Sequence, residues 1–238
     1  MIPNFTPDEL DALRLSLKVS GIATLIAIPL ATATALVLAR GRAWLGGWVT
    51  AVVNGLVYLP LILPPVVTGY VLLSLFGRMG PIGGALAKVG IVFAFDWTGA
   101  ALAAGIMAFP LMVRAIQLGF EAIDPGLEQA AANLGAPPLR VFLTITLPLA
   151  APGLIAGALL GFAKAMGEFG ATVTFVASIP GETRTLSSAI YNAIQTPGGD
   201  GMAMRLAALS AGISILALIL AEAASRRLVR QRQARAPA

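Results

Sequence analysis

Leu15–Leu38 reads LSLKVSGIATLIAIPLATATALVL, and this stretch alone excludes an ordinary water-soluble fold. Its only charged residue is Lys18, and it is longer than the roughly 20 apolar residues a helix needs to cross a bilayer core. Further apolar stretches follow at about Trp48–Phe76, Trp97–Gly119, Ala150–Ala177 and Leu206–Ala223, which predicts five crossings. The second and fourth are long enough to tilt, kink or include a short re-entrant piece, so a sixth helical element is allowed. The whole chain agrees: 58% of its 238 residues are hydrophobic and 11% charged, where a soluble domain carries about 25% charged. Its mean hydropathy is +0.86. Residues 1–238 are therefore read as one all-α integral membrane domain of about five transmembrane helices.

Charge sets the orientation. The basic tail at about 224–238 holds Arg226, Arg227, Arg230, Arg232 and Arg235, which favours the cytoplasm and a lipid surface over nucleic acid. An odd number of spans then places the N-terminus outside, in the periplasm. Arg40, Arg42 and the segment 114–140 fall in the cytoplasm, and the loops near 78–96 and 180–205 face out. The opening residues carry Asp8, Glu9 and Asp11 and lack a basic n-region and cleavage site, so the first span is expected to be an uncleaved anchor.

The chain has no Cys and no His, which removes thiolate chemistry, most zinc sites and the usual nucleophile sets of an intramembrane enzyme. The glycines of GRMGPIGG, Gly77 to Gly84, lack the Gly-Lys-Ser/Thr ending of a phosphate loop and read as a turn. With no nucleotide-binding motif in the chain, any ATPase is a separate polypeptide. Ala23, Ala27, Ala31, Ala35 and Ala39, and likewise Gly153, Gly157, Gly161 and Ala165, form small-residue ridges. Such ridges let helices approach closely, within the subunit in preference to a dimer seam.

Three places stand out within and beside the spans. Pro60, Pro64 and Pro65 must bend or break the second span, so Pro64, Pro65, Val66 and Thr68 either line a path or merely bend around a neighbour. Lys164 and Glu168 lie four apart, about 21 Å along a helix starting near Ala150, and either neutralise each other or face a translocation path. Phe169, next to Glu168, is grouped with them. In the outward loop, Leu186, Ile190 and Ile194 recur at helical spacing between Pro-Gly pairs, which predicts a short surface helix.

The connection from Leu127 to Gly153, LEQAAANLGAPPLRVFLTITLPLAAPG, predicts a short helix that begins at Asp124 and Pro125 and closes at Leu134–Gly135. It is either a knob gripped by a partner or a solvated loop. Here the sequence resembles the permease subunits of binding-protein-dependent ABC importers. Their cytoplasmic EAA loop has the pattern E-A-A, three residues, G, nine residues, I-x-L-P. Gln129-Ala130-Ala131, Gly135, Ile145, Leu147 and Pro148 fall on that spacing, with Gln129 where the family usually has Glu and Glu128 directly before it. LPLILPPVVTGYVLL, FPLMVRAI, VFLTITLPL, GEFGATVTFV and IPGETRTL extend the likeness over nearly the whole chain, and are similar to the molybdate permeases of that family.

The resemblance implies a type I importer bundle in the bacterial inner membrane, working as a homodimer above two cytoplasmic ABC ATPase subunits. The ATPases would use ATP and Mg, and this chain would bind no cofactor or metal. The EAA loop, about 121–149, would dock on the ATPase through Glu128, Gln129, Ala130, Ala131 and Gly135. A periplasmic molybdate-binding protein would meet the outward loop at Glu182, Arg184 and Tyr191, although the loop could equally pack over the mouth of the bundle. Tungstate and sulfate or thiosulfate permeases share the EAA loop and remain alternatives. A secondary anion transporter would be expected to show ion-coupling carboxylates in its spans or inverted repeats, and the spans show one deep acid, Glu168, and no clear repeat.

Overall fold

The first helix, α1 (Pro7–Arg40), starts where Thr6 and Glu9 cap each other. Thr6 N donates to Glu9 Oε2 at 2.7 Å and Glu9 N donates to Thr6 Oγ1 at 3.3 Å, a reciprocal box that satisfies two otherwise orphaned amides. The computed structural model describes residues 6–41 and 45–233. Arg42 and Arg235 lie outside the described residues, and so do the side chains of Arg226, Arg227, Arg230 and Arg232.

Beyond α1 come α2 (Gly47–Ile62), α3 (Pro65–Phe76), α4 (Pro81–Ala87), α5 (Trp97–Glu121) and α6 (Pro125–Asn133). Then α7 (Pro138–Val141), a π-helical turn (Phe142–Thr146) and α8 (Leu147–Met166) run on as one helix, Pro138–Met166. The chain continues with α9 (Gly170–Val176), α10 (Leu186–Ile194) and α11 (Asp200–Gln233). Among the described residues, four helices are long and apolar enough to cross a membrane, or five if the bent pair α2–α3 counts as one broken span. That agrees with the crossings expected from hydropathy.

At the centre is α5, whose Ala100, Ala103, Ala104, Met112, Val113 and Ile116 are fully enclosed. It packs along both α1 and α8. The alanine ridge of α1 is buried at Ala23, Ala27, Ala31 and Ala35, and Ala23 lies directly opposite Gly105 of α5. The glycine ridge of α8 meets the other side of α5. A Cβ on Gly153 would sit 2.8 Å from Gly119 Cα and 3.1 Å from the Ala115 carbonyl oxygen, both rigid backbone. Both ridges therefore serve contacts within the subunit. Gly153→Val is expected to overpack this crossing and cost about 1–3 kcal/mol or more, read as a lowered midpoint of thermal unfolding in detergent. An unchanged midpoint would mean that α5 and α8 can separate without penalty.

The second span breaks at Leu63–Pro64, and α2 and α3 are inclined at 110°. Pro64 and Pro65 each hold the residue before them out of the helical region, Leu63 at ψ 142° and Pro64 at ψ 135°, both extended, whereas Pro60 stays inside α2 without breaking it. Pro65 then opens α3 at the one helical position where a missing amide costs nothing. From there α3 lies against α9 so closely that a Cβ on Gly69 would be 2.6 Å from the Ala171 carbonyl oxygen.

Two expectations need correction. The helix of the fourth stretch starts at Pro138 and not near Ala150; it stops at Met166, and α9 is a separate short helix, as the allowance for a kink or re-entrant piece admits. Lys164 is therefore 26 residues from the start, about 39 Å along and near the far end, where 21 Å had been expected. The GRMGPIGG segment is more than a turn, because α4 begins at Pro81 within it.

Candidate functional site

Residues expected on the same side of the membrane gather at the same end of the bundle. At one end, Asp124 caps α6 by accepting from Gly126 N at 2.8 Å. The helix closes with paired bonds from Gly135 N to Ala132 O at 2.9 Å and from Ala136 N to Ala131 O at 3.1 Å. This arrangement requires a left-handed residue after the helix, and Gly135 supplies it with φ 81°. No residue of α6 is buried. Gln129 and Ala130 are exposed and Ala131 is half-buried. Leu127, Leu134 and Leu139 are also exposed, Leu134 by 89%.

Glu128 differs from its neighbours on this helix. Its carboxylate turns inward, pairs with the guanidinium of Arg40 at the end of α1, and accepts a hydrogen bond from the Thr146 hydroxyl. These groups border a cleft of about 380 Å³ that also includes Gln129, Leu36 and Phe142. The expected docking set therefore divides, with Ala130 exposed, Gln129 exposed at the rim of the cleft and the Glu128 carboxylate facing the bundle.

At the other end, Lys164 Nζ lies 3.1 Å from Glu168 Oε2. Glu168 Oε1 accepts from Ala171 N at 3.0 Å. The Glu168 side chain is 2% exposed, so both its oxygens are satisfied internally, one by charge and one by the start of α9. Phe169 stacks on Tyr191 of α10 with ring centroids 4.9 Å apart, which joins a path candidate to a binding-protein candidate. Pro64, Pro65 and Val66 are exposed, while Thr68 is buried with no partner for its hydroxyl. Glu182 is exposed, and Arg184 is half-buried with its Nε unpaired. The surface helix expected from Leu186, Ile190 and Ile194 is present as α10, but only Leu186 is fully buried. Ile194 is exposed, while Leu186 and Ala189 pack with Ala12, Met166 and Leu206, Ile190 lies against that cluster, and Leu186 N donates to Ser16 Oγ at 2.6 Å.

Other contacts were not anticipated from the sequence. Glu9 is fully buried, and its Oε1 receives Arg205 Nη2 at 2.8 Å and Nε at 3.2 Å, tying the start of α1 to the start of α11. The Thr6-x-x-Glu9 spacing was a readable signal for the cap, but nothing local points to Arg205. A cavity of about 680 Å³ between α1, α2 and α5 has no charged residue in its lining and so offers an anion no counter-charge.

A family model described as "Binding-protein-dependent transport system inner membrane component" matches residues 27–230, and the chain belongs to that family. It is the multi-pass, membrane-spanning permease component of an ABC importer in the inner membrane. Among its relatives, the "Molybdenum transport system permease protein ModB" of Escherichia coli (strain K12) is 51% identical over 222 residues, covering 91% of this chain and 93% of the relative. The protein of the same name in Haemophilus influenzae is 48% identical, covering 92% and 95%. A bacterial alginate ABC transporter, solved in complex with an alginate pentasaccharide-bound periplasmic protein, matches with a TM-score of 0.72. At 17% identity, over 94% of this chain and 80% of that one, the match establishes the fold alone.

Proposed function

We infer that this chain is the channel-forming subunit of an ATP-driven importer of molybdate. The choice of anion rests on the two molybdenum permeases that are about half identical over nearly the full length. An inside-negative potential opposes entry of a dianion by roughly 4.6 kcal/mol per 100 mV, plus about 1.4 kcal/mol for each tenfold concentration ratio. A passive pore would leak the anion outward, so import needs an external energy source.

The observation that carries the coupling is α6, a capped helix with no buried residue and with Leu134 uncovered at its end. An apolar side chain left open beside a rigid helix fits a groove in a partner. In this reading the whole chain works as one unit, and the segment 121–149 docks on a cytoplasmic ATPase that alone binds ATP and Mg. Two copies of the chain enclose the path, and a periplasmic binding protein delivers the anion to the loop around Glu182, Arg184 and Tyr191. Exposed Ile62, Val66 and Tyr70 on the bent pair are available to the second copy. The N-terminus lies in the periplasm and the tail at 224–238 in the cytoplasm.

The test is uptake of labelled molybdate into vesicles that hold this chain, its ATPase and its binding protein, with tungstate and sulfate as competitors. Uptake is expected to require ATP and both partners. If sulfate competes as strongly as molybdate, the choice of anion is wrong, and if uptake proceeds without ATP, a secondary transporter replaces the importer.

A further inference from the structure

The cluster of Arg40, Glu128 and Thr146 is not used by the reading above. Glu128 is 17% exposed in its side chain, on a helix otherwise open to solvent, and Arg40 is 29% exposed. Each carboxylate oxygen has its own partner: Oε2 takes Arg40, the last residue of α1, and Oε1 takes Thr146, the last residue of the π turn. Three elements therefore meet at one carboxylate. The π turn carries its wide register into α8, where Leu147 N bonds to Phe142 O, five residues back. Such turns occur mostly at functional positions within helices.

We propose that Arg40, Glu128 and Thr146 form the internal link that passes displacement of α6 to α1 and to the helix Pro138–Met166, which makes Glu128 a positioning residue and not part of the ATPase-facing surface. This rests on the coupling reading above. The main neighbours of α6 are α7 and the π turn, and its ends continue into loops. Without a side-chain link, a push on α6 reaches the bundle only through its contact with α7 and the π turn and through those loops. A partly buried charge pair resists separation more than a fully exposed one, because solvent screens it less. With the link in place, α6 can move only if α1 and the π turn move with it. The outward face, Gln129, Ala130 and Leu134, is left free for a partner.

The complex of this chain with its ATPase and binding protein, reconstituted in vesicles, tests the link through molybdate taken up per ATP hydrolysed. Glu128→Gln and Arg40→Gln are each expected to lower that ratio roughly tenfold while the ATPase still co-purifies at wild-type stoichiometry. The exchange Arg40→Glu with Glu128→Arg is expected to regain most of the ratio. Thr146→Val, which removes one donor and little volume, is expected to lower it less, and it keeps the test open if a charge variant does not fold. If Glu128→Gln abolishes co-purification, the residue belongs to the docking surface and the proposal fails. If Gly135→Pro uncouples while Glu128→Gln and Thr146→Val do not, the link alone is overturned. If Gly135→Pro also leaves the ratio unchanged, the coupling reading falls and the link falls with it.

Discussion

Gly135→Pro is expected to cut ATP-driven uptake by about tenfold or more in an otherwise assembled complex, the largest functional effect expected of a change in α6. Gly135 stands at φ 81°, and its amide donates to Ala132 O. Proline locks φ near −65° and has no amide hydrogen, so it removes both features that close the helix. The end of α6 must then unwind, and Leu134 is displaced with it. Gly135→Ala keeps the amide and strains only the left-handed turn, at about 1–2 kcal/mol, so it should fall between wild type and the proline variant. Uptake, ATP hydrolysis and ATPase co-purification, measured together, check the series. Wild-type uptake per ATP in the proline variant would remove α6 from the coupling path.

The largest effect on stability is expected at the opposite end of the bundle. Glu9 is fully buried, and Arg205 is its counter-charge through two bonds to one oxygen. Arg205→Ala leaves that carboxylate without its counter-charge, where breaking a buried pair costs about 3–5 kcal/mol; the low end applies because Arg205 is partly exposed and Thr6 N still donates to the other oxygen. Glu9→Gln removes the buried charge and keeps an oxygen for the amide of Thr6, so it should cost less. Combining Glu9→Gln with Arg205→Met should cost less than Arg205→Ala alone, because no charge is then left unpaired. Thermal unfolding of the purified protein in detergent reads all three variants. An unfolding midpoint for Arg205→Ala equal to wild type would show that the pair contributes nothing.

Fold class, the number of crossings and the short helix between the spans were legible because each depends on neighbours in sequence. A run of apolar residues must be buried in lipid or protein wherever it lies. Asp124, Pro125 and Gly135 bound α6 by their own backbone preferences. The proline break was also readable, because Pro64 and Pro65 act on the residues just before them. The length of the fourth stretch allowed a break, but its position after Met166 was not readable. Gly167, Glu168 and Phe169 interrupt an apolar stretch without a proline, and the turn is held by Glu168 accepting from Ala171 N and pairing with Lys164.

The sequence by itself determined a polytopic helical membrane protein, its expected sidedness and the segment that resembles a coupling loop. Tertiary structure alone decided which charges meet. Arg40 and Glu128 are 88 residues apart, and Glu9 and Arg205 are 196 apart. Nothing within a helical turn of either member announces its partner, because ion pairs depend on a few ångströms of spatial separation, whereas hydropathy and capping act over a few residues of chain. For the same reason the sequence placed Glu128 on the short helix between the spans, but only the packed bundle revealed that its carboxylate faces inward.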